Sequence, residues 1–178
     1  MRYLSPKFLT RSSLALFLFA LAGCGAKEVK DDFINYRFDQ QVINKLPVYD
    51  SLVLVIIENF PSFGKFIKDE DSYRSFRYMP ASEDMEAYKK LPPEVAPKID
   101  PYFARLGSDY IYGFDVFKDS SVKIYVRTRF SAKTDIDIME NLSYYPTGNI
   151  RVREFPERDT TLNKNWQYWA RVDKRNLF

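Results

Sequence analysis

The side chains with chemistry to offer lie mainly in the C-terminal half of the chain and fall into two sets. Lys123, Arg127, Arg129, Arg151, Arg153 and Arg171 are interleaved with Tyr125 and Trp169. Cations among aromatics are common anchors of binding surfaces. Such a set suits an anionic partner: a lipid headgroup, a glycan acid or an acidic protein patch. The second set is Asp135, Asp137 and Glu140, carboxylates close enough in sequence to offer the paired acid and base chemistry of a hydrolase. On a regular strand Asp135 and Asp137 share one face and Glu140 takes the other, which weakens the trio. The arginines also have an ordinary use. Asp135, Asp137 and Glu154 can pair with them across strands on a solvated face, each pair contributing about 0.2–1 kcal/mol.

What the chain lacks narrows its chemistry further. It has no histidine and one cysteine, Cys24. A Ser-His-Asp or Cys-His site, a zinc site built on His or Cys, and an intramolecular disulfide are therefore excluded. Glycine is sparse, at 6 of 178 residues, and neither GxGxxG nor GxxxxGK[ST] occurs, so nucleotide phosphates have no obvious cradle. Paired carboxylates, a Ser-Lys arrangement or an oxygen-ligated cation remain. The acidic cluster Asp69, Glu70 and Asp71 lacks the alternating ligands and the glycine of an EF-hand loop, and reads as a solvated charged turn. No cofactor or metal is implied.

Cys24 closes an apolar stretch. Arg2, Lys7 and Arg11 form a basic n-region, and Leu14 to Leu21 is too short to span a bilayer as a helix but suits a signal h-region. Leu21, Ala22, Gly23 and Cys24 resemble the lipobox of bacterial lipoproteins. That resemblance covers residues 1–24 and implies a diacylglycerol thioether on Cys24 and cleavage after Gly23. It also implies, as a rule, a third acyl chain, palmitate for example, on the new N-terminus. At roughly 0.8 kcal/mol per buried CH₂, two or more chains make anchoring durable. Gly25 stands where an aspartate would resemble an inner-membrane retention signal, so the expected location is the bacterial cell envelope, at the outer membrane facing the periplasm rather than at the inner membrane. An ordinary secretory signal and a buried N-terminal helix are the alternative readings of the segment.

Processing changes the charge balance. The chain carries 27 Lys and Arg against 24 Asp and Glu, a formal charge of +3. Without Arg2, Lys7 and Arg11 the remainder is neutral. No basic block survives to suit nucleic acid. The organisation expected is a signal peptide over residues 1–23, a polar tether over 24–32 and one domain over 33–178.

Within that domain, Tyr49, Leu52, Val53, Ile56, Ile57 and Phe60 recur at steps of three and four behind Pro47, the pattern of an amphipathic helix. The continuous run from Leu52 to Ile57 also fits a buried strand. Ser82 is placed to cap a second helix, with Glu83, Asp84 and Glu86 in its first turn and Lys89 and Lys90 at its end. Pro92, Pro93 and Pro97 interrupt, and Asp100-Pro101 predicts a short helix ending at Gly107. The whole middle region reads as an irregular helical insert.

After Gly107 the period becomes two. Val122, Ile124, Val126, Thr128 and Phe130 form one face of a strand, with Lys123, Tyr125, Arg127 and Arg129 on the other. Tyr110 to Lys118 reads as its hairpin partner across Asp119 and Ser120. Ile136 to Tyr145 and Asn149 to Phe155 flank Pro146, Thr147 and Gly148 as a second hairpin, and Trp166 to Val172 alternates again. The fold class expected is α+β: N-terminal helices packed on a C-terminal antiparallel meander of about five strands. With sequential pairing, Lys123, Arg127, Arg129, Arg151, Arg153 and Arg171 share the face opposite the apolar one.

Tyr144, Tyr145, Pro146, Thr147, Gly148, Asn149 and Ile150, followed by Trp166, Gln167, Tyr168 and Trp169, resemble one unit of MORN-like repeat proteins. Those proteins stack several copies to bury their faces, and a second copy is not visible here. Some bacterial proteins with such repeats resemble immunity proteins against secreted effectors. Two functions are thus expected from different classes. One is a non-enzymatic lipoprotein that binds a protein or anionic envelope partner, an immunity-like role being one version. The other is an envelope hydrolase acting through Asp135, Asp137 and Glu140.

Overall fold

A computed structural model describes residues 33, 36–67, 75–80, 88, 90–131, 136–150, 152–154 and 157–172. The segment read as signal peptide, together with Cys24 and the tether, lies outside the described residues. So do Asp69, Glu70 and Asp71, Asp135 and Arg151, and nearly all of the segment from Ser82 to Lys89.

Helix α1 (Gln40–Asn44) is capped by Asp39, whose carboxylate accepts from the Gln41 amide at 2.7 Å. Helix α2 (Leu46–Glu58) follows directly, with Pro47 in its first turn, where a missing N–H does no harm. Tyr49, Leu52, Val53 and Ile56 are its buried face, so the step of three and four prevails over the strand reading of the same run. Helix α3 (Phe60–Gly64) is one short turn further. Helix α4 (Ala96–Leu106) packs against α2. It begins four residues before the expected start at Asp100. Pro97 sits in its first turn, while Pro101 is carried inside the helix at the loss of one backbone bond. It ends where expected: Gly107, at φ 74°, takes the left-handed conformation and donates its amide to the Phe103 carbonyl at 2.9 Å.

Six antiparallel strands form the sheet: β1 (Ser75–Tyr78), β2 (Gly113–Phe117), β3 (Val122–Ser131), β4 (Ile136–Tyr144), β5 (Glu157–Thr161) and β6 (Trp166–Val172). Their spatial order is β1-β2-β3-β4-β6-β5. The architecture is α+β, with helices ahead of most strands and packed on one sheet face. Phe76, Tyr78, Phe114, Val116, Ile124, Leu142, Trp166 and Tyr168 from the strands share one core with Tyr49, Leu52, Val53 and Ile56. Two polar ties close this layer. Tyr49 donates to the Tyr110 carbonyl at 2.6 Å, and the Trp166 indole donates to Asp50 at 2.5 Å.

Three expectations about the sheet are corrected. The segment just before Ser82, for which no element was expected, supplies β1, an edge strand paired in register with β2. The expected hairpin of Ile136–Tyr145 with Asn149–Phe155 does not form: the described residues of 149–154 hold no strand, and β4 pairs with β6 instead. The segment after Gly148 alternates only over Ile150 to Arg153, with small apolar payload, and its Val152 is left 90% exposed. Trp166, Tyr168 and Ala170 alternate on β6, where they are fully or almost fully buried. The third correction is a register shift between Tyr125 and Arg127. Tyr125 opposes Asn141, but Arg127 opposes Glu140, which leaves Val126 as the extra residue of a β-bulge.

Candidate functional site

The bulge divides the predicted cation face into two clusters. Up to Tyr125, β3 turns Val122 and Ile124 to the helices and Lys123 and Tyr125 to the open face. Beyond Val126 the sides exchange. Arg127 and Arg129 point to the helix-covered side, opposite Glu140 and Ile138. The expectation that all six cations share one face is therefore overturned, because one extra residue inverts every later side chain of a strand.

On the helix side Glu140 is fully buried and accepts from four donors. Arg127 Nε lies at 2.7 Å, Arg129 Nε at 3.0 Å, and the Tyr36 and Tyr168 hydroxyls complete the set. Asp39 reaches the outer ends of both guanidinium groups, at 2.5 Å and 2.9 Å. Two arginines thus meet two carboxylates with no charge left over. Burial, and after it the neighbouring Glu140, pushes both tyrosine hydroxyls far above their ordinary pKa, so they remain donors. The network also fastens the N-terminal strap. Phe33, Tyr36 and Phe38 pack over Ile138, Ala170 and Val172, and Arg158 donates to the carbonyls of Phe33 and Tyr36.

This geometry bears on the carboxylate trio. Glu140 is saturated by donors and turned toward the core, while Asp137, three residues earlier, lies on the other side of β4. Asp39, Glu140 and Glu157 are the carboxylates that pair with predicted arginines. Asp137 and Glu154, expected in that role, are not among those partners.

On the open face, one row of residues crosses all six strands: Arg77, Asp115, Lys123, Ser143, Gln167 and Thr161. Asp115 is 2% exposed and already committed. Arg77 clasps it through two bonds of 2.8 Å and 3.0 Å, and the Tyr125 hydroxyl donates to it at 2.6 Å. Lys123 therefore stands beside a carboxylate that is fully engaged elsewhere. Its Nζ lies 4.3 Å from the centre of the Tyr125 ring and 5.1 Å from that of Trp169, and it has no ion pair or hydrogen bond among the described residues. Burial pushes this ammonium down to about 8, with Arg77 and Arg153 adding repulsion and Asp115 and Glu157 opposing them.

Arg153 comes from the loop after β4 and stacks on Trp169 with its Cζ 3.8 Å from the ring centre. It donates to Glu157 at 2.7 Å, to Gln167 at 3.1 Å and to the Tyr145 hydroxyl at 3.3 Å. The Trp169 indole donates to Ser143 at 2.8 Å. One register step along, the buried Asn141 Oδ1 receives no hydrogen bond.

Lys123, Ser143, Arg153 and Trp169 line a pocket of about 730 Å³, within the range of small-molecule and peptide sites. One wall is the β2–β3 turn, Phe117 to Ser121, held by Asp119 accepting from the amide and hydroxyl of Ser121. The other is Tyr144 to Asn149, where Gly148 at φ 73° allows the chain to turn back and Asn165 donates to the Tyr145 carbonyl at 2.7 Å. Of the eight predicted site residues, Lys123, Tyr125, Arg153 and Trp169 come together. Arg171 is exposed further along the same face, Arg127 and Arg129 belong to the other cluster, and Arg151 lies outside the described residues. Sequence reasoning missed Arg77, Asp115, Ser143 and Gln167. Gln167 and Trp169 alternate on β6, a signal that was present, whereas Arg77 required the pairing of β1 with β2.

Among the described residues no helix is long and apolar enough to cross a membrane, and no three His, Cys, Asp or Glu side chains are placed to hold a metal ion. In comparisons with known proteins the chain matches no family model, no curated protein and no solved structure.

Proposed function

We propose that this chain is a lipid-anchored binding protein of the bacterial cell envelope, non-enzymatic, that engages an anionic partner through the open face of its sheet. The observation that carries the reading is Lys123: a cation without a counter-ion in a pocket of binding-site size, beside an Arg153 held rigidly on Trp169. The envelope setting rests on the lipobox-like Leu21 to Cys24, with the outer membrane facing the periplasm as the location. In its specific version the protein is immunity-like and neutralises a secreted effector, which is the role that the MORN-like segment suggests by resemblance.

Labelled palmitate is expected to enter the wild-type protein and not a Cys24→Ser variant, and the variant is expected to leave the membrane fraction. Affinity capture from membrane extracts is expected to recover a stoichiometric partner with wild type and to lose it with Lys123→Glu. Equal membrane retention of the Cys24→Ser protein removes the anchor. Identical captures by wild type and Lys123→Glu remove the binding face.

A further inference from the structure

We propose that the pocket between the β2–β3 turn and the Tyr144–Asn149 wall binds a single carboxylate through Lys123, and that its occupant is an acidic side chain of a protein partner. This rests on the binding function above and gives that face its ligand class.

The charge count around the pocket sets the valence. Among the described residues Arg153 is matched by Glu157 at 2.7 Å and Asp115 by Arg77, while Lys118 and Asp119 on the rim carry opposite formal charges. Of the described charges lining the pocket, that leaves the single positive charge of Lys123 unbalanced. A surplus of one suits a monoanion, whereas a phosphate dianion needs at least two donors free to converge. The Ser143 hydroxyl accepts from the Trp169 indole and so keeps its own hydrogen for a ligand oxygen. It stands opposite Lys123 in the β3–β4 register, close enough for both groups to meet one carboxylate.

The aromatic arrangement separates an acidic side chain from a sugar acid. A pyranose ring needs an accessible aromatic face to stack on. Trp169 is 5% exposed and is flanked by Arg153 at 3.8 Å and Lys123 at 5.1 Å, so its ring serves as a platform for cations and not for sugars. The Tyr145 hydroxyl is engaged by Arg153. What stays open is a pocket between two walls of mixed polar and apolar side chains with a charge at its floor, which admits an acidic side chain.

The groups facing Lys123 are Asp115 from β2, Arg77 from β1, Arg153 from the loop, Glu157 from β5 and Tyr125 on its own strand. Lys123, pushed down to about 8 by burial, changes charge between pH 7 and 9. A carboxylate that binds only the ammonium form is therefore bound about tenfold more weakly at pH 9 than at pH 7.

The experiment is calorimetric titration of the full-length, lipidated protein in detergent at 0.15 M salt, with hexaglutamate, a galacturonate hexamer and inorganic phosphate as separate probes. Hexaglutamate is expected to bind best, to weaken tenfold at pH 9, and to bind Lys123→Met at least tenfold more weakly with no pH dependence. Arg105→Met, a loss of charge on the exposed side of α4 away from the sheet's open face, is expected to bind as wild type. Equal loss in Arg105→Met and Lys123→Met reduces the effect to general charge attraction and overturns the site. Tighter binding of the galacturonate hexamer overturns the acidic side chain as occupant, and tighter binding of phosphate overturns the single-charge argument. Failure of all three probes, with a Lys123-dependent partner still captured from membranes, overturns this inference and leaves the proposed function intact.

Discussion

The two faces of the β3–β4 pair carry nearly the same side chains to opposite ends. On the helix side, arginine, tyrosine and carboxylate form a closed account in which Glu140 has four donors and both arginines have two partners. On the open side, the same vocabulary leaves Lys123 unmatched at the floor of a pocket. The difference teaches that the number of cations on a strand says little about binding. What matters is whether a carboxylate is delivered to each one. A buried charged network needs complete pairing, since an unmatched charge there is costly, while the half-buried Lys123 is kept tolerable by the ring faces of Tyr125 and Trp169.

That contrast can be broken most forcefully at Glu140. Glu140→Leu strands Arg127 and Arg129 beside a single remaining carboxylate, and chemical denaturation is expected to show a loss of about 3–5 kcal/mol. The double variant Arg127→Met/Glu140→Leu is expected to recover part of it, because an apolar pair of similar volume replaces part of the ionic network. Asp39→Ala removes both the cap of α1 and the outer arginine partner, with an expected loss of about 2 kcal/mol in the same assay.

The open cluster should respond in the opposite direction. Lys123→Met at pH 7 is expected to stabilise the fold by about 1–3 kcal/mol, since it removes an ammonium that burial disfavours. Its signature lies in the pH dependence. The folded ammonium titrates near 8 and the unfolded one near its ordinary 10.5, so between pH 8 and 10 the unfolded chain binds more protons at this residue. Stability from this group therefore rises with pH across that window, and denaturation of Lys123→Met against wild type is expected to show the rise lost in the variant. Arg171→Met, exposed at the far end of β6, is expected to stay within about 0.5 kcal/mol of wild type.

How much of this was legible depended on whether the cause was local. The helix over Leu46–Glu58 followed from Tyr49, Leu52, Val53 and Ile56 at helical spacing. The β2–β3 hairpin followed from alternation on both sides of Asp119 and Ser120, and Trp166 to Val172 from its own alternation. The pairing of β4 with β6 was not legible, because Pro146, Thr147 and Gly148 are good turn residues whatever follows them. Half of the eight predicted site residues, Lys123, Tyr125, Arg153 and Trp169, met in one place. Arg127 and Arg129 went to the other face for a reason that two-residue periodicity cannot contain.

By itself the chain's order of residues determined the class of fold, the chemistry left out by having no histidine and a single cysteine, and the interleaving of cations with aromatics along the C-terminal half. Only the tertiary structure decided which cations are spent on structure and which one is left for a ligand. The physical reason is that a strand's alternation is set by its own backbone, whereas the extra residue at Val126 is placed by the partner strand and the helices above it. A shift of one position there turned Arg127 and Arg129 toward Glu140 and left Lys123 facing open space.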